Sequence, residues 1–379
     1  MANNNNKDKC NVPHLRFPEF SGEWKKCKLG DLCNVLMCKR ILVSQTNTED
    51  GVPFYKIGTI GSTPDAYISK ELFDDYKVKY NYPRKGEVMI TCAGTVGKCV
   101  VYDGEDAYFQ DSNIVWIDNP TQYISNGFLF HLLSKVDWRK LNSTTIIRIY
   151  NDDLRNLKMS YPRKEEQQKI SHLLSLLDER IATQNKIIED LKLLKSAISL
   201  NVLHSDTWEQ FKIKDIAQIG RGRVISSIEI SQQKNPTYPV YSSQTSNDGI
   251  MGYLDDYMFE GEYISWTTDG ANAGTVFYRN GKFNCTNVCG LLKLIKGFDT
   301  HFVSLVLAEA TKKYVSINLA NPKLMNNTMG NIQICLPKLE EQKRISIVFR
   351  VLQRLWTVHN SLLTEYIKQK QYLLSQMFI

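Results

Sequence analysis

The stretch AGTVGK at 93–98 has residue types that could bind a phosphate group. Glycine-rich loops that end in Gly-Lys cradle nucleotide phosphates, and a following Ser or Thr holds magnesium. Here the spacing before Gly97 and Lys98 is wrong, and Cys99 stands where the hydroxyl should be. We therefore predict a strand–turn–strand in which glycine permits a tight bend.

Other segments with chemical potential also lack what their chemistry needs. NPTY at 235–238 resembles the Asn-Pro-Pro-Tyr loop of adenine methyltransferases, but it lacks the second proline and a preceding glycine-rich cofactor loop. DDYK at 74–77 is too generic for a nuclease site, and no Ser/His/Asp arrangement has local support. The nine cysteines include no CxxC, so we expect reduced thiols packed as small hydrophobes. We predict no catalytic residue and no metal site.

Length and composition indicate a folded protein of two or three domains, with 379 residues of which 42% are hydrophobic. No apolar run approaches the length of a membrane span, and the polar start of the chain does not resemble a secretory signal. We expect a cytoplasmic protein with a disordered tail at 1–22. The net charge of +7 is spread along the chain without a basic tail, so any nucleic-acid contact must use positioned residues.

A sequence repeat dominates the chain. YPRKEEQQKI begins at Tyr161, and LPKLEEQKRI begins 175 residues later at Leu336. After each, apolar residues alternate at spacings of four and three, which predicts a coiled-coil seam on a helix of about 40 residues. The predicted seam residues are Ile170, Leu174, Leu177, Ile181, Ile188, Leu191, Ile345, Phe349, Leu352, Trp356, Leu363 and Tyr366.

Both seams are interrupted by polar residues at matching places. Gln184 corresponds to His359, and Lys195 corresponds to Lys370. Two unrelated surface helices would not share these interruptions, so we expect the helices to pack on each other. We hypothesise that the polar layers fix the register of the pair.

The segments before each helix repeat more loosely, as short runs of β-branched and aromatic residues separated by Gly, Asn and Asp. We predict an α+β protein in which two globular domains alternate with two long helices. The helices would pack as an antiparallel coiled coil, giving a pseudo-twofold internal repeat. The predicted domains are a tail at 1–22, a first globular domain at 23–160, a central helix at 161–205, a second globular domain at 206–335 and a C-terminal helix at 336–379.

In these repeated segments the chain resembles the specificity subunit of type I restriction-modification enzymes. The resemblance runs from about Trp24 to Phe378 and is most specific in three segments. They are KGEVMITCAGTVGK, IRIYNDDLRNLKMSYPRKEEQQKISHLLSLLDERI and MGNIQICLPKLEEQKRI. The repeat of a globular segment followed by a long helix occurs twice, in the order found in the family. This double occurrence is stronger evidence for the resemblance than any single motif.

The resemblance implies two target recognition domains that each read one half of a bipartite, asymmetric DNA site. It implies that the helices set the gap and dock two methyltransferase subunits, which in turn hold two restriction/translocase subunits. No cofactor is expected on this chain; the complex would use S-adenosylmethionine, ATP and magnesium on the partner subunits. The segment SSQTSNDGIMGYLDDY looks like a different domain subtype from the first half, which predicts unlike half-sites.

For DNA contact we select polar and basic residues in the predicted loops of the two domains. Arg and Lys suit guanine edges or phosphates, and amides and hydroxyls suit adenine or phosphates. The candidates are Lys39, Arg40, Gln45, Lys56, Lys98, Arg148, Arg221, Arg223, Ser243, Gln244, Thr245, Asp269 and Asn272. Two alternatives stay open: a specificity subunit of another restriction-modification architecture, and a coiled-coil scaffold whose heads bind carbohydrate or protein.

Overall fold

The computed structural model describes residues 11–140, 148–203, 205, 207–316 and 321–379. The chain forms two compact units. The first unit comprises residues up to Asn185 together with Ser361–Ile379, and the second unit comprises Lys186–Asn360. The two places where the chain passes from one unit to the other, after Asn185 and after Asn360, are equivalent positions of the repeat.

The globular part of the first unit consists of short strands and helices. In chain order they are β1 (Lys25–Lys28), β2 (Asn34–Leu36), β3 (Thr46–Asn47), β4 (Val52–Tyr55), β5 (Tyr67–Ile68), α1 (Lys70–Lys79), β6 (Val88–Thr91), β7 (Cys99–Val101), β8 (Tyr108–Phe109), β9 (Ile114–Asp118), α2 (Asn126–Lys135), α3 (Asn151–Arg155) and β10 (Lys158–Tyr161). The first long helix, α4, then runs from Lys164 to Val202.

The second unit repeats this order with longer strands. Its elements are β11 (Glu209–Lys212), α5 (Ile213–Ile216), β12 (Ala217–Arg221), α6 (Ser227–Ser231), β13 (Tyr238–Tyr241), β14 (Ile250–Leu254), β15 (Phe259–Thr267), β16 (Val276–Cys285), β17 (Cys289–Leu294), α7 (Thr300–Ala310), α8 (Asn326–Asn331) and β18 (Gln333–Leu336). The second long helix, α9, runs from Leu339 to Met377. Both long helices have 39 residues, which confirms the predicted length.

The sheet topologies of the two units are related but differ at one strand. A two-stranded antiparallel sheet precedes each long helix, β1 with β10 and β11 with β18. The first unit then has sheets ordered β2-β9-β6-β7 and β3-β5-β4-β8, whereas the second has one sheet ordered β12-β17-β15-β16-β13-β14. The long strand β16 pairs with both β15 and β13, but in the first unit its place is taken by the separate strands β7 and β8, so the sheet is split.

The recurring Glu-Glu-Gln motif joins each long helix to its globular part. The buried Gln167 side chain accepts a hydrogen bond from the Ser125 N–H (2.7 Å) and donates to the Pro162 carbonyl (2.9 Å). Gln342 makes the same two bonds, with the Asp299 N–H (2.9 Å) and the Pro337 carbonyl (2.8 Å). Ser125 and Asp299 are the N-caps of α2 and α7, so one amide fixes the starts of two helices in each unit.

The two long helices contribute to each core in antiparallel fashion. In the first unit the start of α4 and the end of α9 share one core cluster, which contains Ile170, Leu174 and Met377. In the second unit the end of α4 and the start of α9 do the same through Ile198, Ile345 and Phe349. The predicted antiparallel pair of helices is therefore confirmed within each unit.

Of the twelve predicted seam residues, seven are buried, four (Ile181, Leu191, Leu363 and Tyr366) are half-buried and Trp356 is exposed. Buried seam residues are Ile170, Leu174, Leu177, Ile188, Ile345, Phe349 and Leu352. Trp356 is 37% exposed, because so large a side chain is rarely enclosed completely. Of the predicted polar layers, Lys370 forms an ion pair with Asp178 of α4 inside the first unit.

The expectation of a disordered tail at 1–22 is wrong for its second half; residues 1–10 lie outside the described residues. Residues 11–22 pack on the first unit because Arg16 forms an ion pair with the buried Glu166. The Leu15 N–H also donates to the Gln376 carbonyl at 2.9 Å. Composition alone did not reveal these partners, which are about 150 and 360 residues distant in the chain.

Burial of His131 predicts acid sensitivity of the first unit. Desolvation lowers the pKa of His131 to about 4, although Asp178 opposes the shift; Lys370 adds to it. Because the unfolded chain takes up a proton near pH 6.5 and the folded chain only near 4, stability falls as pH drops through this window. We expect a loss of about 3 kcal/mol from this group, measured by denaturant unfolding at pH 7 and pH 4.

His131→Leu should remove that part of the pH dependence, whereas His14→Leu, at an exposed site, should keep it. Equal slopes in both variants would contradict the assignment.

Candidate nucleic-acid interface

Arg40 and Lys56 lie on one cleft of the first unit, on the loops that follow β2 and β4. Arg40 Nε donates to the Asp111 carboxylate at 2.8 Å, and Lys56 pairs with Asp65 at 2.9 Å. Both cations line a cleft of about 300 Å³ that also includes the turn at 110–113. The structure therefore brings together two predicted contacts that are distant in the sequence.

Arg148 and Lys98 approach the same loops but bind backbone. Arg148 Nη2 donates to the Ser112 carbonyl at 3.1 Å, so the Arg148 side chain lies beside the turn at 110–113. Lys98 Nζ donates to the Ile60 carbonyl at 2.5 Å. Lys98 thus stabilises the loop after β4, and its ammonium group is engaged by the protein.

Gln45 and Lys39 have local roles. The Gln45 side-chain oxygen accepts a hydrogen bond from the Leu42 N–H at 2.9 Å and closes a short turn. Lys39 Nζ lies 5.3 Å from the centre of the Tyr80 ring. Gln45 is therefore a structural residue here, whereas the exposed Lys39 remains accessible at the edge of the domain.

In the second unit, Arg221 ends β12 and Arg223 lies in the loop that follows it. Arg221 Nε donates to the Asn326 side-chain oxygen at 2.9 Å, and its Nη1 donates to the Asn287 carbonyl at 3.3 Å. Arg223 makes a two-pronged ion pair with Glu229. The hydrogen bond from Arg223 lowers the pKa of Glu229, so this pair stays charged at neutral pH.

The hydroxyl and amide candidates of the second unit meet on the neighbouring loops. Ser243 and Thr268 both donate to the Val288 carbonyl, Thr268 at 2.7 Å. The Asn272 side-chain NH₂ donates to the Thr245 hydroxyl at 3.1 Å. Val288 follows Asn287, which binds Arg221, so the turn at 286–288 links the basic and the polar candidates.

Asp269 and Gln244 complete this group. An Asp269 carboxylate oxygen lies 3.4 Å from the Thr268 hydroxyl oxygen, whose proton is donated to the Val288 carbonyl. Gln244 Nε2 donates to the Ile250 carbonyl at 2.6 Å, which closes the loop before β14. Gln244 therefore shapes the loop, while Asp269 is half-buried.

The comparisons with known proteins agree with this repeated arrangement. The family described as the type I restriction-modification DNA specificity domain matches residues 21–193 and 205–368. These two matches take in most of the chain, one in each half. The chain belongs to this DNA specificity family. No helix among the residues that the structure describes is long and apolar enough to cross a membrane.

Individual relatives of this specificity protein carry the same description. A putative type I restriction enzyme specificity subunit of Haemophilus influenzae is 49% identical over 169 residues, which are 45% of this chain and 43% of that protein. A putative type I specificity subunit of Mycoplasma pneumoniae is 36% identical over 222 residues, which are 56% of this chain and 82% of that protein. The match thus spans less than half of the Haemophilus relative.

The fold of the specificity protein is also similar to a solved one. The crystal structure of a type I restriction-modification S subunit from M. genitalium has a TM-score of 0.73, with 16% identity. The alignment covers 97% of this chain and 99% of that chain. At this identity the likeness shows the fold alone.

Several residues at the two candidate contact sites of the specificity protein were not predicted from the sequence. Gln110 and Asn113 line the cleft of the first unit, and Asn287 and Asn326 surround Arg221 in the second. A signal was present, since the polar turns at 110–113 and 286–288 follow equivalent strands and precede β9 and β17.

The motifs that resembled enzyme sites have structural roles. AGTVGK at 93–98 joins the antiparallel strands β6 and β7, and Gly94 and Gly97 have positive φ angles of 62° and 84°. The strand–turn–strand interpretation is therefore confirmed. In NPTY, the Asn235 N–H donates to the Asp255 carboxylate at 2.8 Å, and Tyr238 begins β13. DDYK at 74–77 lies on the surface helix α1.

Gly222 lies between the two arginines of the second unit. We predict that its replacement by alanine destabilises the protein far more than the same change at the nearby Gly220. A Cβ atom at Gly222 would lie 1.5 Å from the Cys285 carbonyl oxygen, whereas a Cβ at Gly220 would meet nothing within 4 Å. Gly222→Ala must therefore displace the backbone that carries Arg221 and Arg223. We expect a loss of about 1–3 kcal/mol in unfolding free energy, measured by denaturant titration.

Gly220→Ala is the matched control, with an expected change within about 0.5 kcal/mol. Similar effects of both substitutions would show that the contact with Cys285 is not what selects glycine at 222.

Proposed function

We propose that this chain is the sequence-specific DNA-binding subunit of a type I restriction-modification complex. Each globular domain reads one half of a bipartite, asymmetric site, and the long helices set the gap between the halves. The chain directs both adenine-N6 methylation and restriction by partner subunits and has no catalytic role itself. S-adenosylmethionine, ATP and magnesium belong to the partner subunits.

One observation carries this proposal: equivalent loops of the two units hold clusters of unlike polar residues. The loop after β2 carries Lys39 and Arg40, and at the equivalent place in the second unit Arg221 ends β12 and Arg223 lies in the loop after it. The facing turns read QDSN at 110–113 and TNV at 286–288. Like scaffolds with unlike contact groups favour two readers of different half-sites.

The state of the arginines is compatible with DNA binding. The ion pairs of Arg40 and Arg223 are partly exposed, with side-chain exposures of 65% and 43% for the arginines. Exposed ion pairs contribute little to stability, so a phosphate or a guanine edge can replace the carboxylate at small cost. Arg221 is held by Asn326, Asn287 and Met325, and each of its two Nη groups keeps a second N–H that can donate to guanine O6 or N7.

The exposed apolar face of α9 supports a protein partner. Ile347, Val351, Leu355 and Val358 follow one side of the helix within the second unit and are 41–61% exposed. Clustered exposed apolar residues mark protein interfaces. We assign this face to a methyltransferase subunit.

Val351→Glu should disrupt that contact, because it places a charge at the centre of the apolar face. We expect at least a tenfold loss of co-purification with the methyltransferase subunit. Gln353→Glu adds the same charge on the same helix outside the face and should have no effect. Retained binding by Val351→Glu would contradict the assignment.

The proposed function is tested by mapping N6-methyladenine genome-wide in cells that express this chain with its neighbouring methyltransferase, and in cells without the chain. A split motif that appears only with the chain would establish the reader function and define both half-sites and the gap. A stable complex with no new methylated motif would contradict it.

A further inference from the structure

The first unit contains a carboxylate that is neutralised by a segment of the chain itself. Arg16 Nε and Nη2 donate to the two oxygens of Glu166 at 2.8 and 2.7 Å. Trp24 Nε1 also donates to Glu166, at 3.3 Å. The Glu166 side chain is only 1% exposed, so the segment at 11–22 covers the first turn of α4.

The second unit has the same parts without the covering segment. Trp208 precedes β11 as Trp24 precedes β1, and Glu341 is the counterpart of Glu166 in the Glu-Glu-Gln motif. Glu341 is exposed, and it forms no ion pair with any residue of the described ranges. Only five residues separate the end of α4 from Trp208, too few to repeat the segment at 11–22.

An open cleft lies where that segment would lie. It has a volume of about 810 Å³, within the usual range for binding pockets, and it is lined by Trp208, Phe211, Phe298 and Glu341. Glu209 and Lys338 also line the cleft. Apolar rings beside two carboxylates, with a single lysine among them, suit a side chain that is cationic at its tip and apolar elsewhere. Arginine meets this description, as Arg16 does in the first unit.

A second contact of the first unit also has its counterpart. Lys169 Nζ lies 4.8 Å from the centre of the ring of Phe17, the residue that follows Arg16 in the chain. Arg344 holds the position of Lys169 in the second repeat and is exposed. A cation over an aromatic ring is favourable, and arginine forms this contact readily. The cleft therefore offers partners for an arginine followed by an aromatic residue.

We propose that this cleft docks an extended segment of a partner protein that presents arginine followed by an aromatic residue. The guanidinium group binds Glu341 with two parallel hydrogen bonds, as Arg16 binds Glu166. The aromatic residue packs beside Arg344, and the apolar part of the segment covers Trp208. The surface lies at the first turn of α9 and does not involve the DNA-contact loops.

The test uses a fluorescent synthetic peptide of residues 11–22 as the probe and the full chain as the receptor. We expect saturable binding measured by anisotropy, and at least a tenfold weaker affinity for Glu341→Gln. The control Glu340→Gln removes the same charge from the same turn, at an exposed side chain near Lys343, and should bind as the original chain does. A peptide in which Arg16→Ala is introduced should bind at least tenfold more weakly.

Two outcomes would overturn the proposal. If the peptide does not bind, or binds Glu341→Gln unchanged, the cleft does not recognise such a segment. If sedimentation shows a dimer of the chain that Glu341→Gln dissociates, the occupant is a second copy and not a partner protein. Circular dichroism of Glu341→Gln separates loss of binding from loss of fold, since an exposed glutamate contributes little to stability.

Discussion

Replacing Arg16 with alanine is expected to lower the unfolding free energy of the first unit by about 3–5 kcal/mol. The substitution leaves the Glu166 carboxylate, 1% exposed, without its two hydrogen bonds from the guanidinium group. A buried charge that loses its partner keeps its desolvation cost and loses its Coulomb attraction. The two Arg16 bonds to the Gly22 and Ser21 carbonyls are lost as well, which releases the segment at 11–22.

The measurement is denaturant unfolding followed by hydrogen exchange, which reports the two units separately. Arg163→Ala is the matched control, because Arg163 is an exposed residue of the same unit. Its replacement removes the same charge as the replacement of Arg16. We expect less than about 0.5 kcal/mol from that control. If the two variants are equally stable, the ion pair does not anchor the segment.

Lengthening both long helices by one heptad is expected to widen the recognised gap by about 3 base pairs. Seven helical residues add roughly 10.5 Å, and base pairs of DNA are spaced at about 3.4 Å. The insertions duplicate residues 179–185 in α4 and 354–360 in α9, immediately before the two equivalent positions where the chain changes units. Each unit keeps its own core, and the four-three spacing of the seam is preserved.

The readout is again the map of N6-methyladenine in cells with the neighbouring methyltransferase. Both half-sites should be unchanged while the gap lengthens. A heptad in α4 alone should abolish methylation, because the two helices are then out of step. An unchanged gap with both insertions, or an altered half-site, would contradict the role of the helices as a spacer.

The helices and the order of the repeat could be predicted because their signals are local and periodic. Apolar residues at spacings of four and three predicted the lengths of both long helices. The paired motifs at Tyr161 and Leu336 indicated that the two helices are equivalent. The alternation of strands and turns was correct in both units, since β-branched and aromatic runs report on strands directly. The function of Gln167 in joining two helix starts was not visible, because it depends on Ser125, 42 residues away.

The protein partners of the candidate contact residues could not be predicted from residue type. Residue type identified Arg40 and Arg221 as possible DNA contacts, but not the partners that hold them, Asp111 and Asn326. Lys98 and Gln45 are residues of the same kinds, yet Lys98 binds the backbone of a neighbouring loop and Gln45 binds the backbone of its own turn. The tail prediction failed for the same reason, because Arg16 reads as a solvated charge until Glu166 is placed beside it. Tertiary neighbours decide such roles, and residue type does not encode them.

The division of the first unit into two separate stretches of chain has a consequence for protein synthesis. The second unit is continuous, so its core can close while the ribosome is still translating α9. The core of the first unit includes Met377 and Phe378, which pack with Trp24 and Phe128. At about 5–20 residues per second, the 175 residues of Lys186–Asn360 delay these two by roughly 10–35 s after Asn185 is made. During that interval the apolar side of the emerging α4 is uncovered, and a chaperone that shields it would raise the yield of native protein.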